Sequence, residues 1–443
     1  MDAIASFFRF GDRRTSIGRE VRAGATTFMV MVYIIFVNPA ILGNAGMDPV
    51  AVAAATALLA GIMSIAMGVF GNFPIAIAAG LGINGIVAFN LVLGRGLTWQ
   101  GAMGIIFWEG LIVTILVLVG LREAMMGAIP LALKKAIAVG IGLFILFIGF
   151  FNAGLIKSPE GGVPPVTFVF PTTAAHYVTI IGLFVTIALY VRKVPAALLL
   201  GIVITAIIGV PFGVTQVPNT ISVVPDFSTI GALNLTEGFE KLGIYLAVLT
   251  IFTIMLIDFF DTMGTVTAVG EQAGLTDDEG RVPRVGPILL VDSVAAAAGG
   301  VFGTSSNTSY IESSAGVAEG GRTGFTSIVT GLLFVAAIVL APLAGIIPAA
   351  ATAPALILVG YLLFEQIRDI EVDDPEIGIP ALFTIILMPL TFDIAIGIGA
   401  GFIAFTFIKI VRGKAAEVHL LMWLASAAFL IFFLKDFIEP YIP

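Results

Sequence analysis

Uncharged apolar stretches long enough to cross a bilayer recur along this chain from about residue 23 to its C-terminal end, and this restricts the fold more than any other feature. A hydrocarbon core offers the backbone no water, so segments within it must be helices or strands of a closed barrel. Continuous runs of about 20 apolar residues without period-two alternation select helices. Composition agrees: 59% of the 443 residues are hydrophobic and 11% are charged, where a soluble domain carries about 25% charged residues. The implied class is an all-α polytopic membrane protein.

Apolar runs bounded by Pro, Gly and charge predict helices at about 23–43, 50–70, 98–120, 130–152, 174–191 and 195–210. After a Pro-rich link at 211–238 they resume at about 241–270, 286–301, 323–341, 347–364, 377–390 and 393–411. A final run at 416–434 reads either as a further crossing or as an interfacial helix. Two pieces fit no ordinary span. Residues 72–93 (NFPIAIAAGLGINGIVAFNLVL) start with Pro and small or branched residues and cross Gly80 and Gly82 before turning helical. Residues 303–320 (GTSSNTSYIESSAGVAEG) are too polar to face lipid.

Each odd piece is third in its half, and the two lie about 230 residues apart, close to the spacing of the first helices at 23 and 241. With seven segments per half, the second half enters the membrane from the opposite side, which predicts inverted repeats totalling about fourteen segments. The third and tenth would each be a short strand plus a half-helix, the half-helices starting near Leu81 and Tyr310. Arg13, Arg14, Arg19 and Arg22, then Arg122, Lys134 and Lys135, Arg192 and Lys193, Arg281 and Arg284, Arg322, Arg412 and Lys414 all fall on one side of this count. That side is expected to be the cytoplasm, with the N-terminus on it and the chain in the cell membrane. The basic arm FFRFGDRRTSIGREVR runs straight into a long first span, so no removable signal peptide is expected.

The scarce charge also narrows function. The chain has no cysteine and two distant histidines, His176 and His419, which leaves no Cys or His metal centre and no thiol chemistry, so no cofactor is expected. A net charge of -8 without a basic cluster beyond the arm argues against a nucleic acid partner. Within the predicted spans the ionisable groups are all acidic: Glu109, Asp258, Asp261, Asp292, Glu312, Glu319 and Asp393. A carboxylate at the bilayer centre costs about 2.5–3.5 kcal/mol even on lenient scales, so it must be protonated, bind a cation or face water.

Asp258 and Asp261 in LIDFFDTMGTVTAVG share a helix face with Thr262 and Thr265. Asp261 and Glu312 are expected to face each other across a cavity between the broken segments, accepting N–H donors from a polar substrate while one carries a coupling proton. Asp258 stands between that role and a buried structural one; Asp292, Glu319 and Asp393 read as structural ties; and Glu109 reads as either a relay or a lone interior hydrogen bond. Asn84 offers a donor and an acceptor to the same cavity, or else caps its own half-helix. Tyr310, two residues before Glu312, offers an aromatic face to a planar ligand.

RFGDRRTSIGREVRAGATTFMVMVYIIFVNPAIL, DFFDTMGT, GTSSNTSYIESSAGVAEGGRTG and EIGIPALFTIILMPLTFDIAIGIGAGF resemble, over residues 7–435, the AzgA-like hypoxanthine/guanine/adenine permeases of the xanthine/uracil permease superfamily. The resemblance implies a core domain (23–122 and 239–342) and a gate domain (123–238 and 343–443) behind an arm at 1–22. It also implies proton-coupled uptake of purine nucleobases by an elevator-like movement and a homodimer; the buried carboxylates leave sodium open as the alternative coupling cation. The family's eighth-segment acid falls on Asp261 of DTMG, its tenth-segment glutamate on Glu312 and its aromatic on Tyr310, with Asn84 and Asp258 near the base. Here Glu312 is followed by Ser-Ser-Ala-Gly, and the third segment reads Ala79-Gly80-Leu81-Gly82, both departures from close branches. The rival readings are an anion transporter or channel of the same fold, which three carboxylates disfavour, and an intramembrane aspartyl hydrolase, for which two Asp on one helix face are poorly arranged.

Overall fold

The computed structural model describes residues 2–120, 129–159, 166–217, 224–277 and 282–434, so the basic residues Arg122 and Arg281 lie outside the described residues. Among the described residues ten helices are long and apolar enough to span a membrane: α1 (Ile17–Ala45), α2 (Pro49–Gly71), α4 (Trp99–Leu118), α5 (Leu131–Asn152), α6 (Ala174–Val191), α8 (Glu237–Gln272), α9 (Val285–Phe302), α11 (Gly324–Gly345), α12 (Ala349–Asp369) and α14 (Ile394–Val411). Shorter apolar helices are α3 (Leu81–Gly94), α7 (Ala197–Gly209), α13 (Pro375–Thr391) and α15 (Leu420–Phe433), and α10 (Ser313–Ala318) is a stub.

Local sequence explains most boundaries. Asp48, Asp374 and Asp393 accept first-turn amides at the starts of α2, α13 and α14, while Thr98 and Thr323 do so at α4 and α11. Pro49 and Pro375 occupy the first helical positions, where a missing N–H costs nothing. Gly243, at φ 73°, breaks α8 soon after its start, in a conformation that a side chain would strain.

The two odd segments meet. Strand β1 (Ile77–Ala79) precedes α3, strand β4 (Asn307–Ser309) precedes α10, and they pair antiparallel with Ala78 opposite Thr308. A second short hairpin, β2 (Ile156–Lys157) with β3 (Thr167–Phe168), follows α5. Extended backbone inside a membrane fold must be satisfied by protein, and here it is. Gly80 N–H donates to Ser306 O (2.8 Å) and Tyr310 N–H to Ala76 O (3.0 Å). On the outer edges, Ile77 N–H donates to Ser64 Oγ of α2 (3.0 Å), and Ser309 N–H to Asp292 Oδ1 of α9 (2.9 Å). Because Tyr310 continues the strand, the second half-helix begins at Ser313, three residues later than the sequence suggests.

Symmetry shows in the packing. α2 meets α11 where Gly61 abuts Gly331 and Gly68 abuts Gly324, and the equivalent pair with the halves exchanged, α9 and α4, meets where Ala297 abuts Gly110 and Gly300 abuts Phe107. A β-carbon on any of these glycines would come within 3.0 Å of the facing helix, so small residues set the interaxial distance. The same inversion governs two buried carboxylates. Glu20, at the start of α1, accepts from Thr323 and Thr326 at the start of α11, and Glu237, at the start of α8, accepts from Thr98 at the start of α4. The first helix of each half thus caps the fourth segment of the other. Elsewhere α5 packs on α12 and α13, α6 on α7 and α12, and α13 on α14. The 416–434 run forms α15, held to α14 by Ser426 Oγ donating to Phe402 O (3.1 Å) and to α8 by the Tyr245 hydroxyl on Ala428 O (3.2 Å).

Candidate functional site

The strand pair ends where α3 and α10 begin, and there a cavity of about 450 Å³ opens. Gly80, Leu81 and Gly82 form one wall at the first turn of α3, whose leading N–H groups have no carbonyl within their own helix. Ser309, Tyr310 and Glu312 form the facing wall, and Asp261 of α8 closes a third side. Ile141 of α5, Ile257 of α8 and Val359 of α12 supply apolar surface. The mouth lies at Glu365, Gln366, Arg368 and Asp369, in the last turns of α12. Arg368 is the one basic residue among the described residues that line the cavity.

Each acidic side chain has its own surroundings. Asp261 is open to the cavity. Glu312 Oε1 accepts from the hydroxyl of Tyr33 at 2.7 Å. Tyr33 is fully buried at the irregular turn that splits α1. Tyr310 is fixed from both ends: its amide donates to Ala76 O and its hydroxyl to Ala79 O. The ring therefore stands at the cavity wall in a set orientation.

The remaining candidates sit elsewhere. Asn84 is fully buried, does not line the cavity and donates to Asn38 Oδ1 (2.6 Å); Asn38 in turn donates to Thr56 Oγ1 (2.8 Å) and Thr304 O (3.2 Å). This polar chain ties α1, α2 and α3 to the approach of β4, so the structure puts Asn84 behind the cavity wall. Asp258 is buried one turn from Asp261 and accepts from Ser306 Oγ at 3.3 Å. Asp292 accepts from Thr262 Oγ1 (2.6 Å) and from both N–H and Oγ of Ser309 (2.9 and 2.8 Å), clamping β4 between α8 and α9. Glu109 is buried within α4. Glu319, counted in the sequence as intramembrane, is exposed at the C-terminal end of α10, because the stub ends after six residues. Asp393 caps α14 at the opposite end of the molecule from the cavity mouth.

Sequence reasoning missed Tyr33, Asn38, Glu20 and Glu237. Asn38 carried the same signal as Asn84, an amide in an apolar run, here followed by Pro39. Tyr33 carried none that separates it from the other six tyrosines.

In chemical terms the cavity interior, away from Glu365 and Asp369 at the mouth, presents two carboxylates, a fixed aromatic wall and a half-helix N-terminus to a neutral planar solute with both donors and acceptors. Its volume falls in the range of small-molecule sites. No group of three or more His, Asp or Glu among the described residues is arranged to hold a metal ion.

The sequence profile of the Permease family of xanthine/uracil permeases matches residues 18–397. The chain is 40% identical over 431 residues to the adenine permease AdeQ of Escherichia coli, covering 96% of this chain and 95% of that one. It is 41% identical over 448 residues to the guanine/hypoxanthine permease PbuG of Bacillus subtilis, with 97% and 99% covered. Among solved structures it resembles the transmembrane domain of a cyanobacterium bicarbonate transporter, BicA, at a TM-score of 0.65 and 15% identity, over 87% of this chain and 97% of the other.

Proposed function

The chain belongs to the xanthine/uracil permease family, and from that premise we propose that it imports purine nucleobases with protons by alternating access. The relatives at 40% and 41% identity are named for adenine and for guanine and hypoxanthine. The observation that carries the reading is the convergence of Asp261, Tyr310 and Glu312 on one cavity at the crossing of the two broken segments. A purine edge bears ring N–H groups that the carboxylates accept, and a carbonyl or ring nitrogen that the first-turn amides of α3 meet. Its flat ring stacks on Tyr310 between apolar walls.

Protonation of one cavity carboxylate couples the gradient to binding, since a transported ion does work only through differential affinity between access states. The chain works as a homodimer in the cell membrane with its N-terminus in the cytoplasm. α1–α4 and α8–α11 act as the moving core, and α5–α7 and α12–α14 as the gate. The cavity mouth lies at the basic end, beside Lys135, which pairs with Asp369 at 3.3 Å; the structure is then the inward-open state. An anion reading draws on the fold of the bicarbonate transporter, but Asp261 and Glu312 would repel an anion in this cavity.

The test is uptake of radiolabelled hypoxanthine, guanine and adenine in a purine-transport-deficient bacterium, with and without a protonophore, for the natural chain and Glu312→Gln. Uptake that collapses with the protonophore and with the substitution supports the proposal. No uptake of any base, or uptake indifferent to both, overturns it.

A further inference from the structure

A second hollow, unused by the transport reading, lies at the basic end where the N-terminal arm crosses the ends of α2 and α9. It encloses about 400 Å³, and Arg9, Arg13 and Arg284 line it together with Phe7 and Phe70. Arg13 is held in place by donating through Nη1 to Asn72 O and Arg322 O, both at 2.7 Å. The carboxylates that act on it are Glu20, already saturated by α11, and Asp12 of the arm. Arg9 and Arg284 are exposed, and neither forms an ion pair among the described residues.

One further feature points to an anion. Arg284 occupies the N-cap position of the eighteen-residue α9 without capping it by its side chain, so the positive end of the helix dipole adds to three guanidinium groups.

The hollow does not end there. Phe70 and Pro287 line both it and an apolar furrow of about 640 Å³ between α2, α4 and α9, walled by Met63, Leu118, Leu290 and Val294. A cationic chamber at the membrane end that opens into an apolar furrow along the spans has the shape and polarity of a glycerophospholipid. We propose that this is a binding site for an anionic phospholipid, its phosphate among Arg9, Arg13 and Arg284 and one acyl chain in the furrow. A free phosphate would satisfy the arginines but leave the furrow unused, so the lipid is the occupant. The site is carried by the arm, α2, α4, α9 and the α8–α9 connection (Leu275, Val282 and Pro283), and does not depend on which solute is transported.

The test is native mass spectrometry of the detergent-purified full chain titrated with phosphatidylglycerol or phosphatidylcholine of matched acyl chains, alongside thermal stabilisation by inorganic phosphate. The natural chain should retain phosphatidylglycerol preferentially. Arg9→Gln with Arg284→Gln should weaken that retention about thirty-fold, from the usual surface value of each basic residue, and leave phosphatidylcholine unchanged. Both arginines are exposed, so the pair should fold. Val294→Trp, which fills the furrow, should weaken phosphatidylglycerol without altering any response to phosphate. Equal retention of the two lipids, an arginine variant that binds like the natural chain, insensitivity to Val294→Trp, or equal stabilisation by inorganic phosphate would each overturn the assignment.

Discussion

Replacing Asp393 by Asn should raise the population of the opposite access state about five- to thirty-fold. The cavity mouth at residues 365–369 and Asp393 are separated by the seventeen-residue helix α13, about 25 Å of rise, so they mark opposite ends of one seam. At the Asp393 end the seam is shut. Asn90 Nδ2 donates to Asp393 Oδ2 at 2.5 Å, Arg95 Nη2 lies 3.8 Å from the same oxygen, and Arg95 Nη1 donates to Thr250 Oγ1 at 2.9 Å. Beside them Phe392 meets Phe89 edge to face at 5.2 Å. In the proposed mechanism α3 and α8 move past α14, so these contacts hold only while the cavity opens at the other end.

Asparagine caps a helix as well as aspartate does, so the bond from Ala395 N–H to the residue at 393 (2.8 Å) survives the substitution. What is lost is charge. A hydrogen bond to an ionised group contributes about 1.5–3 kcal/mol against about 1 for a neutral one, and a long, partly exposed ion pair adds about 0.2–1 kcal/mol. Together the terms come to about 0.7–3 kcal/mol, and the middle of that range, about 1–2 kcal/mol, gives the stated shift. The chain lacks cysteine, so Thr253→Cys creates a single thiol in α8 beneath this contact, 2% exposed in the closed seam. Its labelling by an impermeant maleimide from the Asp393 side reports the minor state. The rate should rise five- to thirty-fold with Asp393→Asn, and by much less when Asn90→Ala is already present, because the two residues share the larger of the two interactions. A rate within two-fold of the parent, or strict additivity with Asn90→Ala, would refute the reasoning.

Tyr33→Phe removes the hydroxyl that binds Glu312 Oε1; nucleobase affinity by titration calorimetry should fall about ten- to a hundred-fold, and unchanged affinity would detach Tyr33 from the site. Glu20→Ala leaves the amides of Arg322, Thr323 and Thr326 without their buried acceptor. It should destabilise the fold by about 3–5 kcal/mol, read as a large drop in apparent Tm in detergent. Glu237→Ala should cost less, because its Lys241 partner is nearly half exposed. Asp292→Ala should abolish nucleobase binding and lower Tm together, since Ser309 N–H and Oγ lose their acceptor, whereas Glu312→Gln should abolish transport with Tm changed little.

The architecture was legible because membrane physics leaves few options. Paired segments with Gly80, Gly82 and a run of Ser, Thr and Asn in mid-membrane have nowhere to go except a protein-lined crossing. The same logic led to Asp261, Tyr310 and Glu312, which the structure gathers at one cavity. It did not separate cavity groups from ties, because burial of a polar side chain says that it needs a partner without saying which. Asn84 found Asn38, Asp292 found Ser309, and both partners depend on tertiary approach. Glu20 and Glu237 escaped notice for a different reason. They lie at span ends, where a carboxylate looks solvated until the other repeat's helix is brought over it.

The placement of charge then separates what must stay rigid from what must open. Within the proposed core, Glu20 gathers bonds from Thr15, Arg322, Thr323 and Thr326, and Asp292 is bonded by Thr262 and Ser309. Within the proposed gate, Glu376 meets Lys409, Arg412 and Lys414 at 2.8–3.0 Å. Glu20 and Asp292 are multidentate sites whose loss leaves several buried groups unsatisfied, and the three short ion pairs on Glu376 reinforce one another. The ion pair across the seam, Arg95–Asp393, is a single long contact at 3.8 Å, and its loss costs little. The proposed elevator needs this asymmetry, two bodies stiffer than the contact between them, and here several short contacts within each body stand against one long ion pair and one amide bond from Asn90 across the seam.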